Sequence, residues 1–229
     1  MPELDLANLA VWYLVFVFST TCHEAAHAWV AYRGGDLTAY SLGHVSLDPT
    51  PHIRRSPFGM VVMPLVGFLF FGSMIGWASV PVNRQWAVDH PRRAAVMSLA
   101  GPAANFLLAT LALLAMRLLV GGGVLELGGG PNVTVPEGQE ANTLLGALAR
   151  GLSVMLVLNV ILGLFNLIPL PPLDGASVLE GIAPRASASI YQHLRDVPAI
   201  EILGLLAAMR LFSYVSRPAL DFVAGLLQS

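Results

Sequence analysis

Long apolar runs separated by short polar stretches form the hydropathy pattern of this chain. The first run, residues 6–22, contains no charged side chain, and the helix that it predicts continues to about residue 32, just before Arg33 and two glycines. A helix of that length rises roughly 40 Å at about 1.5 Å per residue, which exceeds the ~30 Å hydrocarbon core of a bilayer. We therefore expect a membrane-spanning helix at about residues 6–32.

Three further spans follow from the same pattern. Apolar runs predict spans at about 94–118 and 149–170, and a less regular run predicts a fourth at about 198–215. After Arg217 the pattern favours an amphipathic helix at the membrane interface. About four transmembrane helices in a single membrane domain, residues 1–229, are thus expected.

Two other stretches do not fit a regular span. Residues 58–83 are uncharged and long enough to cross, but six glycines and prolines interrupt them. We interpret this stretch as a re-entrant segment that is buried against protein. Between residues 37 and 50 polar and apolar side chains alternate and end at Asp48-Pro49, which predicts a short β-strand or hairpin. The expected fold class is an all-α polytopic membrane protein with these two additions.

The composition agrees with a membrane protein. Of the 229 residues 55% are hydrophobic and 11% are charged, and the mean hydropathy is +0.69. A net charge of −2 without a dense basic run gives no reason to expect a nucleic acid as partner. The N-terminus carries Glu3 and Asp5 where a signal peptide would carry bases, so we expect this segment to be retained.

The arginines test the topology, because positively charged residues accumulate in cytoplasmic loops. If residues 58–83 are re-entrant, eight arginines share one side of the membrane: Arg33, Arg54, Arg55, Arg84, Arg92, Arg93, Arg185 and Arg195. The loop 121–146 and the N-terminus would lie outside, and Arg117 and Arg150 at the edges of that loop oppose this orientation. We expect a multi-pass protein of the cell (inner) membrane with its arginine-rich side in the cytoplasm.

The first span contains a motif that carries chemistry, His23-Glu24-Ala25-Ala26-His27. Residues four apart lie on one face of a helix, so two imidazoles can bind one metal ion while a carboxylate stands beside them. Catalytic zinc takes three protein ligands and leaves a fourth position for water, so one more donor is required. Polar side chains inside a span are costly, which favours function over a chance occurrence of the motif.

Asp174 is our candidate for the third ligand, because it closes an apolar run. The alternative for this residue is an interfacial turn, since Asp-Gly is a common turn pair. His44 and His52 compete for the position, although a hydrogen-bonded loop histidine is the simpler interpretation of both. In such a site Glu24 would take a proton from a zinc-bound water and pass it to the leaving amine.

Three motifs in this order resemble the site-2 protease family of intramembrane zinc metalloproteases, in particular its short bacterial members. They are His23-Glu24-Ala25-Ala26-His27, Gly101-Pro102-Ala103-Ala104-Asn105 and the stretch from Asn166 to Gly175, which contains Leu173-Asp174-Gly175. The resemblance covers residues 20–180. The first motif also occurs in unrelated zinc peptidases, but the three together are highly specific.

The resemblance implies one Zn²⁺ per chain, bound by His23, His27 and Asp174, with Glu24 as the catalytic acid and base. It also places Asn166 near the site, where it would donate to the developing oxyanion or form a hydrogen bond between helices.

A second set of residues has weaker implied roles. Gly101, Pro102 and Asn105 are expected to pack around the site, and a contact with the substrate backbone is a further expected role of Asn105. His52 is a further candidate for a place beside the ligands or the substrate. The family commonly has an acidic residue shortly after this histidine, whereas Ile53-Arg54-Arg55 follows here.

The implied activity is cleavage of a transmembrane segment of another membrane protein, near the cytoplasmic face, in regulated intramembrane proteolysis. The expected partners are a transmembrane substrate, for example a membrane-tethered regulator, and the lipid bilayer. The alternative from another class is a zinc-containing transporter or an inactive binding partner. Intact Glu24 argues against the inactive version, and the few polar side chains along the second span argue against a transport path.

Overall fold

Helices make up most of the protein, and the predicted all-α polytopic class is confirmed. The computed structural model describes residues 5–137, 143–182 and 198–229. In chain order the elements are α1 (Leu6–Gly34), α2 (Thr38–Ser41), α3 (Pro49–Arg55), a π-helical turn (Phe58–Val62), α4 (Met63–Phe71), α5 (Arg84–Asp89), α6 (Pro91–Gly121), β1 (Glu126–Leu127), β2 (Val133–Thr134), α7 (Leu144–Asn166), α8 (Asp174–Ile182) and α9 (Pro198–Gln228).

Three helices, α1, α6 and α7, are long and apolar enough to cross a membrane, and they pack against one another. A fourth span results if the bent pair Pro49–Arg55 and Phe58–Phe70, which meet at 111°, counts as one. The predicted spans 6–32 and 94–118 lie inside α1 and α6. The helix at the third span ends at Asn166, before the prolines that begin at residue 169.

Apolar residues of α6 and α7 form the main core at the end of the bundle where α6 finishes. Its buried members are Ala109, Ala112, Met116, Leu125, Val133, Ala149, Leu156, Val160 and Leu227. The last of these belongs to α9, so the C-terminal helix closes this core. A second cluster joins Val15 and Phe16 of α1 to Val154 and Leu158 of α7. The two clusters hold the three long helices in fixed register around the polar residues described below.

Residues 58–83 turn back on themselves. The π-helical turn and α4 lead outward to Gly72, which adopts φ 66°, and the chain then returns without regular structure. Trp77 donates its backbone N–H to the carbonyl of Gly59 at 3.1 Å, so the returning segment lies directly against the outgoing helical part. This arrangement agrees with a re-entrant segment, and the path of residues 58–83 through the membrane stays a prediction.

The prediction of a β-strand or hairpin within residues 37–50 is wrong. The Oδ1 atom of Asp36 accepts hydrogen bonds from the backbone N and the hydroxyl of Thr38 at 2.9 and 2.6 Å, immediately before α2. Asp48 caps α3 by accepting from the backbone N of Thr50 at 2.9 Å. These local hydrogen bonds start helical turns and outweigh the alternation of polar and apolar side chains.

The hairpin lies elsewhere, in the glycine-rich loop that follows α6. β1 and β2 are antiparallel and pair Glu126 with Thr134 and Leu127 with Val133. The backbone N of Val133 also donates to the hydroxyl of Ser153 on α7 at 3.1 Å, which fastens the hairpin to the bundle.

The C-terminal segment is one continuous helix, so the predicted break between a span and a separate interfacial helix after Arg217 is wrong. A span at about 198–215 stays a prediction. Pro218 lies inside α9 without ending it. The residues beyond the proline pack against the main core through Ala219, Leu220, Val223 and Leu227, whose spacing places them on one helical face. Arg117 of α6 donates to the carbonyl of Leu226 at 2.9 Å, near the end of α9.

Several of the arginines behind the topology prediction lie at one end of the bundle. Arg93 at the start of α6 donates to the carbonyl of Gly34 at the end of α1, at 3.1 Å. Arg117, which opposed that orientation, lies at the other end as the partner of α9. Arg185 and Arg195 lie outside the described residues.

Asp36 joins the end of α1 to the end of the re-entrant segment. Its Oδ2 atom accepts from the backbone N of Asn83 at 2.8 Å, while Oδ1 accepts from Thr38. Burial raises the pKa of Asp36, but the hydrogen bonds from Thr38 and Asn83 stabilise the carboxylate more, and the pKa lies below its ordinary value. This connection holds the return of the re-entrant segment beside the helix that carries the two histidines.

Candidate metal centre

His23 and His27 lie one turn apart on α1 and face the interior. Both are buried, with 7% and 5% of their surface exposed, and their rings meet edge to face with centroids 4.6 Å apart. The Nε2 atoms of the two rings are 2.9 Å apart. This is the geometry expected from residues at i and i+4 on one helical face.

The hydrogen bond at Nδ1 of each ring determines which of its two nitrogens carries the proton. His27 Nδ1 lies 2.7 Å from the backbone carbonyl of Met97, which can only accept, so Nδ1 carries the proton. His23 Nδ1 lies 2.6 Å from the side-chain oxygen of Asn105, with the same consequence. Both Nε2 atoms of the neutral imidazoles are therefore bare lone pairs that point at each other.

Asp174 brings a third acceptor to the same place. It is the first residue of α8, and its Oδ2 atom lies 3.2 Å from Nε2 of His23 and 3.3 Å from Nε2 of His27. This Oδ2 atom is buried and has no hydrogen-bond donor among the described residues. Among those residues, His23, His27 and Asp174 form one group of donor atoms that could hold a metal ion.

These three acceptors fit a cation. Around a tetrahedral zinc ion with bonds of about 2.0–2.1 Å, ligand atoms are separated by roughly 3.3 Å, which is close to the observed 2.9, 3.2 and 3.3 Å. Without a cation, one buried imidazole would need a second proton to bridge the group. The set of two neutral imidazoles and one carboxylate is also one that zinc prefers.

Gly101 keeps the space in front of the two imidazoles open. A Cβ atom at this position would collide with Nε2 of His27 and would lie 2.5 Å from Nε2 of His23. The backbone of α6 therefore approaches the ligand atoms as closely as a glycine permits. Pro102 is buried beside it within the same helix.

Glu24 is buried next to the first histidine, with 5% of its surface exposed. Burying a carboxylate in an apolar span costs free energy, so such a residue usually has a function. Glu24 lies on the helix that supplies both imidazoles. It can therefore serve the same centre as an acid or a base.

Asn105 contacts the ligand His23 directly. It therefore lies closer to the ligands than a contact with the substrate backbone alone would require. Its side-chain nitrogen donates to Oδ1 of Asn159 on α7 at 2.8 Å. From the sequence, Asn159 is expected to join helices by hydrogen bonds, which is confirmed, but its link to a metal ligand and the part of Ser19 were missed. Polar residues inside apolar spans were the available signal, whereas the backbone carbonyl of Met97 leaves no trace in the sequence.

Among the described residues, neither Asn166 nor His52 is hydrogen-bonded to the three acceptors. The side-chain nitrogen of Asn166 donates to the carbonyl of Leu162 on its own helix at 3.0 Å. His52 is fully buried, with Nε2 at 3.1 Å from the carbonyl of Ser46 and its ring against His44 rather than against the metal-binding group.

The turn that carries Asp174 is supported by α9. A Cβ atom on Gly204 would collide with the carbonyl of Pro171, so helix and turn are in close backbone contact. Ala208 is buried against Ile168 and Leu173, and Phe212 meets Phe165 edge to face. These contacts fix the position of the acidic residue relative to α1.

Fold and site together define a polytopic membrane protein with a His-His-Asp centre between its helices. The chain belongs to peptidase family M50, whose profile matches residues 11–203, and the resemblance to the site-2 protease family is confirmed.

Two relatives illustrate this membership. The chain is 35% identical over 217 residues to "Putative zinc metalloprotease YwhC" of Bacillus subtilis (strain 168), which covers 91% of this chain and 86% of that protein. It is 30% identical over 178 residues to "Putative zinc metalloprotease Rip2" of Mycobacterium tuberculosis (strain ATCC 25618 / H37Rv), which covers 76% of this chain and 59% of that protein. No solved structure matches the chain.

Proposed function

We propose that the protein is a zinc-dependent endopeptidase that cleaves a transmembrane segment of another membrane protein. The observation that carries the proposal is the convergence of three bare acceptor atoms, from His23, His27 and Asp174, with the buried carboxylate of Glu24 on the helix that supplies both histidines. Membership of a peptidase family and two relatives named as zinc metalloproteases support the same conclusion.

Each polar residue has a part in peptide hydrolysis. Zinc bound by the three acceptors would supply a Lewis acid for the scissile carbonyl and lower the pKa of a water molecule. Glu24 accepts the proton of the attacking water and delivers it to the leaving amine. Asn166 is the candidate donor to the developing oxyanion, and in the free protein its amide is held by Leu162.

The position of the centre supports a substrate within the bilayer. His27 lies seven residues before the end of α1, about 10 Å along a helix that rises about 1.5 Å per residue. The carbonyls of a helical substrate are already hydrogen-bonded, so the substrate must unwind locally before it can react. A transmembrane segment that enters the site therefore has to be extended there.

The cell membrane is the proposed location, with the centre near the cytoplasmic face and the N-terminus outside. The bond from Arg93 to the end of α1 supports this orientation, because it puts the nearby arginines at the end of the bundle that is closer to the centre. A membrane-tethered regulator, cut in regulated intramembrane proteolysis, is the proposed kind of substrate.

The replacement Glu24→Gln tests the proposal. We expect zinc to stay bound and cleavage to fall by at least about 10³-fold, since an amide cannot carry the proton. Zinc is measured by elemental analysis of the purified protein. Cleavage is measured by comparing membrane proteomes of cells that carry either form, in which the substrate accumulates as an uncut precursor.

The matched control is Glu201→Gln, which removes an exposed carboxylate of α9 and should leave both measurements unchanged. Cleavage that persists in Glu24→Gln would contradict the proposed role of this residue. A wild-type protein that binds no zinc would contradict the proposed function as a whole.

A further inference from the structure

A chain of buried hydrogen bonds starts and ends on α1 and passes through both other spanning helices. It runs from His23 to Asn105 on α6 at 2.6 Å, to Asn159 on α7 at 2.8 Å, and back to Ser19 on α1 at 2.8 Å. Ser19, Asn105 and Asn159 are completely buried. Ser19 and His23 are one helical turn apart, so the network closes on the helix from which it begins.

The far end of this network determines the direction of every bond in it. Asn159 has acceptors on one side only: the carbonyl of Met155 at 2.8 Å, the sulfur of Met155 at 3.1 Å and the hydroxyl of Ser19. Its NH₂ group must face them, because an amide oxygen there would lie 2.8 Å from the carbonyl oxygen of Met155 with no hydrogen between the two acceptors. The hydroxyl of Ser19 donates to the sulfur of Met155, so it accepts from Asn159. Its oxygen consequently faces Asn105.

The same reasoning continues to the metal ligand. Asn105 must present its NH₂ group to the oxygen of Asn159, which turns the oxygen of Asn105 toward His23. An oxygen at that position accepts the proton of Nδ1 and leaves Nε2 bare. The orientation of the Asn105 amide therefore depends on that of Asn159, and the tautomer of His23 depends on Asn105. The first of these groups, Asn159, does not touch the ligand itself.

We propose that Asn159 is a positioning residue for the metal centre, which fixes the tautomer and the ring orientation of His23 through Asn105. The proposal rests on the zinc site of the proposed function, but it concerns how that site is prepared. An Asn105 without this partner can present either end of its amide to the histidine, and half of the arrangements would put a proton on the nitrogen that must bind the metal.

Two substitutions separate this role from simple helix packing. In Asn159→Leu the partner of the Asn105 NH₂ group is lost, whereas Asn159→Asp keeps an acceptor oxygen toward Asn105 in either protonation state. Ser153→Ala is the matched control. Ser153 is also buried on α7, but it bonds to Val133 and Ala149 and has no link to His23.

The experiment measures zinc affinity of the purified proteins by competition with a chelator, together with the visible spectrum of the Co²⁺-loaded forms. We expect Asn159→Leu to bind zinc about 10–100-fold more weakly, the range found when a partner of a ligating histidine is removed. Asn159→Asp should recover most of this loss. Ser153→Ala should reduce thermal stability without weakening zinc binding.

The tautomer is measured directly by ¹⁵N NMR of histidine-labelled, metal-free protein. We expect Nδ1 of His23 to carry a proton in the wild type, and in Asn159→Leu we expect a second population in which Nδ1 carries none. A wild-type His23 whose Nδ1 carries no proton would overturn the proposal even if Asn159→Leu does not fold.

Equal zinc affinity in Asn159→Leu and wild type would overturn it as well, and so would an Asn159→Asp protein that binds as weakly as Asn159→Leu. These outcomes leave the proposed function intact as long as the wild type binds zinc and cuts its substrate. A wild type without zinc is the separate failure described above.

Discussion

Two pairs of histidines in this protein look alike and differ in what surrounds them. His23 and His27 have ring centroids 4.6 Å apart at 82°, and His44 and His52 have centroids 5.2 Å apart at 67°. All four side chains are buried. Ring packing and burial alone therefore do not distinguish a metal site from a structural contact.

The partners of the ring nitrogens make the distinction. In the first pair both Nδ1 atoms donate to fixed oxygens, which bares both Nε2 atoms toward Asp174. In the second pair both Nδ1 atoms are buried without a hydrogen-bond partner among the described residues. The first pair is prepared for a cation, whereas the second lacks a third acceptor in the described part of the chain.

Neighbouring charges also distinguish the second pair from the first. Burial lowers the pKa of His44, and the neighbouring His52 and Arg55 lower it further. His44 is therefore neutral at neutral pH, and no carboxylate is among the groups that shift it. The comparison teaches that a metal-binding pair needs oriented lone pairs and an acidic partner, not histidines alone.

Among the changes considered, Gly101→Ala should have the largest effect on what distinguishes the two pairs, the binding of zinc by His23 and His27. The added methyl group would occupy the space beside both Nε2 atoms, so we expect zinc affinity to fall by at least about 100-fold. Chelator competition measures the affinity, and circular dichroism checks that the helices remain.

Gly151→Ala is the control for this prediction, because a Cβ atom on Gly151 meets nothing within 4 Å. It makes the same chemical change inside α7 and should leave zinc binding as in the wild type. Unchanged affinity in Gly101→Ala would show that the cation does not lie where the three acceptors converge.

The replacement of one histidine from each pair sharpens the comparison. His23→Ala should abolish zinc binding, whereas His52→Ala should leave it within about twofold, since the described contacts of His52 go to Ser46 and His44 and none goes to the metal-binding group. His52→Ala should still lower the free energy of unfolding by about 1–3 kcal/mol, because the bond to Ser46 is lost from a buried place. Zinc content and unfolding are measured on the same preparations. Loss of zinc from His52→Ala would refute the distinction between the pairs.

The smallest effect is expected at Asp36, in the loop that connects the two pairs. Its pKa is lower in the folded protein, so its carboxylate contributes stability above the ordinary value of about 3.9 and loses it as the pH falls through the folded pKa. Asp36→Asn should therefore be less stable than wild type by about 1–2 kcal/mol at pH 7 and nearly equal to it at low pH.

Unfolding followed from pH 7 to pH 3 measures this difference, with Asp221→Asn on the exposed face of α9 as control. A difference that stays constant over this range would contradict the role of the carboxylate. Zinc binding by Asp36→Asn at pH 7 should equal that of the wild type.

The errors of the sequence interpretation have local causes. Alternating side chains in residues 37–50 suggested a strand, although Asp48 followed by Pro49 is also a common helix start, and the structure has α3 there. Arg217 suggested a boundary after the fourth span, but α9 continues because its apolar face packs on α6 and α7. In both places the sequence pattern was compatible with two structures, and only the hydrogen bonds and packing contacts of the folded chain decide between them.

The sequence by itself determined the features that depend on neighbours along the chain. Apolar runs specify the three long helices, because their length and hydropathy match a bilayer. The spacing of His23 and His27 specifies one helical face, and Gly35 specifies the end of α1.

Only the tertiary structure decided which distant groups meet. It brought Asp174 between the two imidazoles, placed Gly101 beside their nitrogens and linked Asn159 to His23 through Asn105. Such contacts depend on the packing of three helices and on the orientation of amide groups. The directions of the hydrogen bonds follow only when every donor and acceptor has been paired in space.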